Sequence, residues 1–256
     1  MIRALVAASC AEFTKLRSMR STLVTLSLFF PISFGIGALE GWSARGAIAS
    51  HSPMLRSDFS AAQAGFDGVL IGQLALIVFS VLLVTSEYGS RMIGLSLLAV
   101  PRRGHFYAAK MIVVGLAAAV VAIPAVVLAY MATEFALGPY GSSPFASGVP
   151  RAMLGAVGYL TLMSVFAAGI AVMARNPIVP LATLLPLVLA GSQILSIIGA
   201  TTVIARFLPD RAGMRMLAVS AGNSDQLSSV AGFAVMLVWA AAALIGGYLL
   251  LQRRDA

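Results

Sequence analysis

The segment SEYGSRMIGLSLLAVPRRGHFYAAK, residues 86–110, combines one acid, Glu87, with cations at Arg91, Arg102, Arg103 and Lys110. Short apolar turns separate these charges, and apolar stretches long enough to cross a bilayer flank the whole. Charges spaced this way suit the docking of a soluble partner rather than bond-making chemistry. A second set of polar groups lies inside the apolar stretches. Gln73 and Ser80 are seven residues apart, about two helical turns, and so share a face. Ser192 and Ser196 share another, with Gln193 adjacent. Two roles stay open for these residues, as for Thr161, Ser164 and Thr183. They either hydrogen-bond between helices or line a translocation path. No charge lies on either face, which favours a hydrophobic or amphipathic cargo over an ion or sugar.

Catalytic chemistry is missing. Neither lysine, Lys15 or Lys110, stands in the G-x-x-x-x-G-K-[ST] setting that cradles phosphates, and there is no H-E-x-x-H and no G-x-S-x-G. His51 and His105 fall in expected loops without a ligand partner at helical spacing, which argues against a zinc site. Cys10 is the single cysteine and reads as a small packed residue. Proton relays within membranes need Asp, Glu or His inside the helices. Here Glu87 and Glu134 sit at helix ends, with Glu40 and Asp67 just outside. A proton-coupled carrier and an intramembrane hydrolase are both disfavoured, and no resident cofactor or metal is expected.

The elements that hold these residues follow from composition. Apolar residues make up 60% of the 256, charged ones 10%, and the mean hydropathy is +0.96. Soluble domains carry about a quarter charged residues, so the chain is expected to be an all-α polytopic membrane protein. The six expected crossings are 22–39, 66–85, 108–131, 152–174, 178–198 and 230–251. Pro124, Pro180 and Pro186 are expected to kink their helices. Residues 1–21, with Leu5, Val6, Cys10, Phe13 and Leu16 at three- and four-residue spacing and Lys15, Arg17 and Arg20 after them, predict a helix lying in the interface. Residues 40–65 read as a long polar connection, 138–150 as a compact loop, and 201–229 as short helices dipping into the outer leaflet. A single membrane domain is the simplest organisation.

Basic residues divide 11 to 6 between the two sides, and acids divide three to six. The net charges are 11 − 3 = +8 on the side of the N-terminus and 6 − 6 = 0 on the other. The positive-inside rule then places both termini in the cytoplasm. The same bias explains a pI near 10.4 without nucleic acid.

Three segments resemble a known family. AEFTKLRSMRST (residues 11–22), the 86–110 loop with its Glu-Tyr pair and Pro-Arg-Arg, and FLPDRAG (residues 207–213) are similar to motifs in the membrane subunits of type-2 ABC exporters, particularly the short actinobacterial permeases. The loop departs from that pattern at Gly89–Met92 and at Gly94, where basic residues and a Gly-Thr are common. The resemblance spans the whole chain. It implies the type-2 exporter transmembrane fold and a dimer of membrane subunits, with a second copy or a paralogue, in the bacterial cytoplasmic membrane. Power would come from a separate ATPase subunit that binds ATP and Mg. It also implies that Glu87, Tyr88, Arg91, Pro101, Arg102 and Arg103 couple to that ATPase, within a loop spanning 86–107. The cargo would be a drug, antibiotic, lipid or similar amphipath, as in multidrug efflux and antibiotic resistance. A non-transporting scaffold or signalling subunit is the alternative of a different class, and a secondary carrier is a third.

Overall fold

The computed structural model describes residues 2–51, 59–89, 103–191, 194, 202–220 and 227–253. Among these there is no strand. The helices are α1 (Ile2–Ser18), α2 (Arg20–Ala49), α3 (Ala61–Ala64), α4 (Asp67–Gly89), α5 (Arg103–Leu137), α6 (Val149–Ala174), α7 (Ile178–Pro186), α8 (Thr202–Ala205), α9 (Pro209–Met214) and α10 (Ser229–Arg253). Short 3₁₀ turns follow α5 and α9. Five of the helices, α2, α4, α5, α6 and α10, are long and apolar enough to cross a membrane. α7 is apolar but shorter, and it passes into a π-turn over Leu187–Gly191.

α4 and α6 are largely buried within the chain, whereas α2 and α10 expose most of their surface. α4 packs against α2 on one side and α6 on the other; α5 lies beside α2 and α6, and α10 covers α6. Lipid tails are as apolar as leucine, so helices in a bilayer adhere by close packing rather than by the hydrophobic effect. The α2–α5 seam meets that requirement. A Cβ on Gly37 would lie 2.6 Å from Thr133 Oγ1, and one on Gly41 2.5 Å from the Thr133 carbonyl. The outward faces are as apolar as the core, with Ile112, Leu116, Val120 and Ile123 of α5 and Val230, Leu237, Val238 and Ile245 of α10 all exposed. Lipid is the solvent that such faces require.

Several boundaries differ from expectation. α2 runs on to Ala49, through Glu40, Ser43 and Arg45, where the sequence reads as a polar connection. Hydropathy detects the edge of the membrane, not the end of a helix. The 30 residues of α2 and the 35 of α5 therefore extend roughly 45 and 52 Å at 1.5 Å per residue, beyond a hydrocarbon core of about 30 Å. Pro124 lies inside a continuous α5. Pro180 falls in the first turn of α7, where no amide donor is needed. Pro186 stands where α geometry gives way to the π-turn. Of the expected crossing at 178–198, residues 192, 193 and 195–198 lie outside the described residues.

α1 also differs in the face it buries. Ala8, Glu12 and Leu16, each four residues from the next, pack against the bundle, while Val6, Cys10 and Phe13 are exposed. Met19, in an extended conformation, separates α1 from α2. The apolar residues picked out by sequence thus divide between two faces. The inward one carries an acid.

Candidate functional site

That acid is the centre of the site. Glu12 on α1 is 4% exposed, and its two carboxylate oxygens take one lysine each: Lys15 Nζ at 2.7 Å from Oε1 and Lys110 Nζ at 2.6 Å from Oε2. Glu87, near the end of α4, offers Oε1 to both lysines at 2.9 Å. Glu87 and Lys110 are buried as well, and the Phe106 ring lies 5.3 Å from Lys110 Nζ and 5.9 Å from Lys15 Nζ. Two carboxylates and two ammoniums sum to zero charge, the condition under which buried ions are tolerated.

The local folding that brings these groups together is simple. Glu12 and Lys15 are three apart and share a face of α1. Lys110 lies two turns into α5 and Glu87 within the last turn of α4, so the ends of two antiparallel helices put them level. Burial pushes the Lys15 amine down, but its bonds to Glu12 and Glu87 outweigh this and hold it above the ordinary lysine value. The second oxygen of Glu87, Oε2, is buried with no hydrogen-bond partner, and Glu87 borders a void of about 10 Å³ shared with Tyr88, Phe106 and Tyr107.

Neighbouring residues fasten the same end of the bundle. Arg103 Nη1 donates to the carbonyls of Leu251 (3.0 Å) and Gln252 (3.3 Å), joining the start of α5 to the end of α10. A guanidinium on the last carbonyls of a helix also complements its dipole. The Arg175 guanidinium lies over the Tyr88 ring, 5.6 Å from its centroid. Of the residues expected to couple to a partner, Glu87, Tyr88 and Arg103 therefore converge here. Arg91, Pro101 and Arg102 lie outside the described residues, as do Ser192, Gln193 and Ser196 of the expected path.

Gln73 and Ser80 are described, and both are buried within the chain. Ser80 Oγ donates to the Leu76 carbonyl of its own helix at 2.7 Å. Gln73 Oε1 accepts the Tyr159 hydroxyl at 2.5 Å, and its amide donates to the Leu70 carbonyl at 2.6 Å. The shared face of α4 thus packs against helices of the same chain. The Tyr159 ring in turn packs against Gly213 of α9, where no Cβ would fit, and the Ala212 carbonyl closes on Gly232 of α10. This contact is the physical reason for the Ala-Gly in FLPDRAG: the short helix seats directly on a tyrosine ring. Tyr159→Phe is expected to lower unfolding stability by about 1 kcal/mol, the typical value of one interhelical hydrogen bond in a membrane. A melting curve unchanged from wild type in detergent would remove that bond from the account.

A family model described as ABC-2 family transporter protein matches residues 10–191. The chain belongs to the ABC-2 transporter family. It is a multi-pass membrane permease subunit of an ABC transporter, and family membership implies an ATPase partner. No curated protein gives a significant match. All four charged residues of the buried cluster lie inside the matched stretch of this ABC-2 permease; FLPDRAG lies beyond it. Among the described residues no group of three or more His, Cys, Asp or Glu could hold a metal ion.

Sequence reasoning placed Glu12, Lys15, Glu87 and Lys110 in the family-like segments but did not join them. One signal was available. Of 17 basic residues only two are lysines, and both stand in those segments. In the structure both compact ammoniums sit between the same two carboxylates.

Proposed function

We propose that this permease forms the membrane pathway of an ATP-driven exporter. It would move hydrophobic or amphipathic compounds (drugs, antibiotics or lipids) out of a bacterial cell across the cytoplasmic membrane. A separate ATPase binds ATP and Mg and supplies the power, and a second membrane subunit, identical or paralogous, completes the pathway. Both termini lie in the cytoplasm, the side to which 11 of the 17 basic residues assign them.

The single observation that carries this reading is the buried cluster of Glu12, Lys15, Glu87 and Lys110. It ties α1 to the two helices, α4 and α5, that border residues 90–102. In the proposed mechanism the ATPase grips that segment, and its closure shifts the end of α4 relative to α5. Ion pairs held in one geometry do not stretch gradually; they keep one set of partners or exchange it for another. The unmatched Oε2 of Glu87 is the acceptor for such an exchange. Arg103, bonded to the end of α10, carries the same displacement to the final helix.

Glu87→Gln keeps the shape and removes the charge that pairs with both lysines. In the complex purified with its ATPase, hydrolysis is expected to continue while cargo transport falls at least tenfold. Transport coupled as in wild type would overturn this mechanism.

A further inference from the structure

Four helices meet at the small void beside Glu87: α4 supplies Glu87 itself, α5 Phe106, Tyr107 and Lys110, α6 Val172, and α10 Leu251. Three polar groups of this lining have hydrogen-bonding capacity left over. Glu87 is 6% exposed, and both ammoniums of the cluster bond to one of its oxygens, Oε1, at 2.9 Å. Two cations at that distance keep the carboxyl ionised. Its Oε2 is then a buried anionic acceptor, and among the described residues nothing donates to it. Lys110 has three N–H groups and gives one each to Glu12 and Glu87, so a third remains. Tyr107 donates its proton to the Leu244 carbonyl at 2.9 Å, which leaves lone pairs on its hydroxyl oxygen.

Size and charge together narrow the occupant. A void of about 10 Å³ is at the scale of a single water, and a buried water needs two to four polar partners. A cation would add charge to a cluster that already sums to zero, beside two ammoniums. An anion would meet the ionised carboxylate. Buried ion pairs hold only when the lone pairs and protons left over from the pairing are satisfied as well. A small neutral molecule that both donates and accepts does this for Glu87 and Lys110 at once.

We propose that the void binds one water molecule as the fifth member of the ionic cluster. It donates one proton to Glu87 Oε2 and the other to the Tyr107 hydroxyl oxygen, and it accepts the third N–H of Lys110. The proposal deepens the export reading and rests on it for one point only, that Oε2 exchanges partners when the end of α4 moves. Water then holds Oε2 in the closed cluster and leaves as a lysine takes that oxygen. The acceptor is bare in neither arrangement, which removes the main obstacle to moving a buried carboxylate.

The test uses the purified full chain in detergent, without any ATPase, exposed to microsecond X-ray pulses in heavy-oxygen water. Radiolysis turns water into hydroxyl radicals, and these oxidise the side chains beside the water that produced them, buried or not. Phe106 and Phe166 form a matched pair, 4% and 5% exposed; Phe106 lines the void, whereas Phe166 packs on Trp239. Phe106 is expected to take up heavy oxygen at least fivefold faster than Phe166, read at each residue by peptide mapping. Val172→Ile, which adds a methyl group to the wall of the void, is expected to bring Phe106 down to the Phe166 rate. Equal rates in the wild-type protein would mean a dry void and overturn the site, and that comparison depends on no variant. A Phe106 rate unchanged by Val172→Ile would overturn it too, since the radicals would then come from outside. No transport is measured, so a dry void leaves the export reading intact, and failure of the export reading leaves the water in place.

Discussion

Lys110→Met is expected to be among the most damaging single substitutions in the chain. Methionine approximates the length and volume of lysine, so packing around Phe106 and Tyr107 is kept while the charge is lost. Glu12 and Glu87, both buried, are then left with Lys15 alone, the partly exposed member of the four. Breaking a buried ion pair by removing one partner costs about 3–5 kcal/mol, because the remaining charge stays desolvated. The expected readout is a large fall in melting temperature and in monodisperse yield from detergent. Lys110→Met combined with Glu12→Gln restores neutrality and is expected to recover part of the loss, a coupling that a double-mutant cycle measures. A single mutant as stable as wild type, or a double mutant worse than the sum of its parts, would mean that the cluster does not tie α1 to the bundle.

Gly68→Leu is expected to prevent folding of the α2–α4 pair. A Cβ at Gly68 meets backbone rather than side chain: the Ser33 carbonyl oxygen and, at 2.7 Å, the Gly37 nitrogen. Neither can rotate aside, so relief requires the two helices to separate, and the usual 1–3 kcal/mol for overpacking is a lower bound. Gly35→Ala is the matched control on α2, where an added Cβ has nothing within 4 Å. It is expected to be neutral or to stabilise by up to about 1 kcal/mol, since alanine is the better helix former. The contrast is read by size-exclusion profile and thermal melting. Normal behaviour of Gly68→Leu would refute the close approach of α2 and α4.

The membrane helices were legible because lipid imposes length and apolarity together, and both are written locally. Thus α4, α6 and α10 begin and end within four residues of the expected spans, whereas α5 starts five residues early at Arg103 and ends six late at Leu137. What was not legible depends on pairs of residues distant in sequence. Glu87 meets Lys15 across 72 positions and Glu12 meets Lys110 across 98. Periodicity along α1 picked out its apolar residues and passed over Glu12, because an acid counts as outward until a buried cation is found for it. Gln73 shows the converse. Its spacing puts it on one face of α4 with Ser80, but the partner that donates to its carbonyl, Tyr159, lies on α6 and leaves no trace in the α4 pattern.

The scarcity of lysine has a practical consequence. Within these 256 residues an amine-directed reagent finds two side chains, and both belong to the buried cluster. Lys15, with its side chain 32% exposed, would acylate slowly, and Lys110, at 5%, would be protected for as long as the cluster stays closed. The modification rate at Lys110, read at that residue by peptide mapping, would then act as a clock for the opening of this one joint.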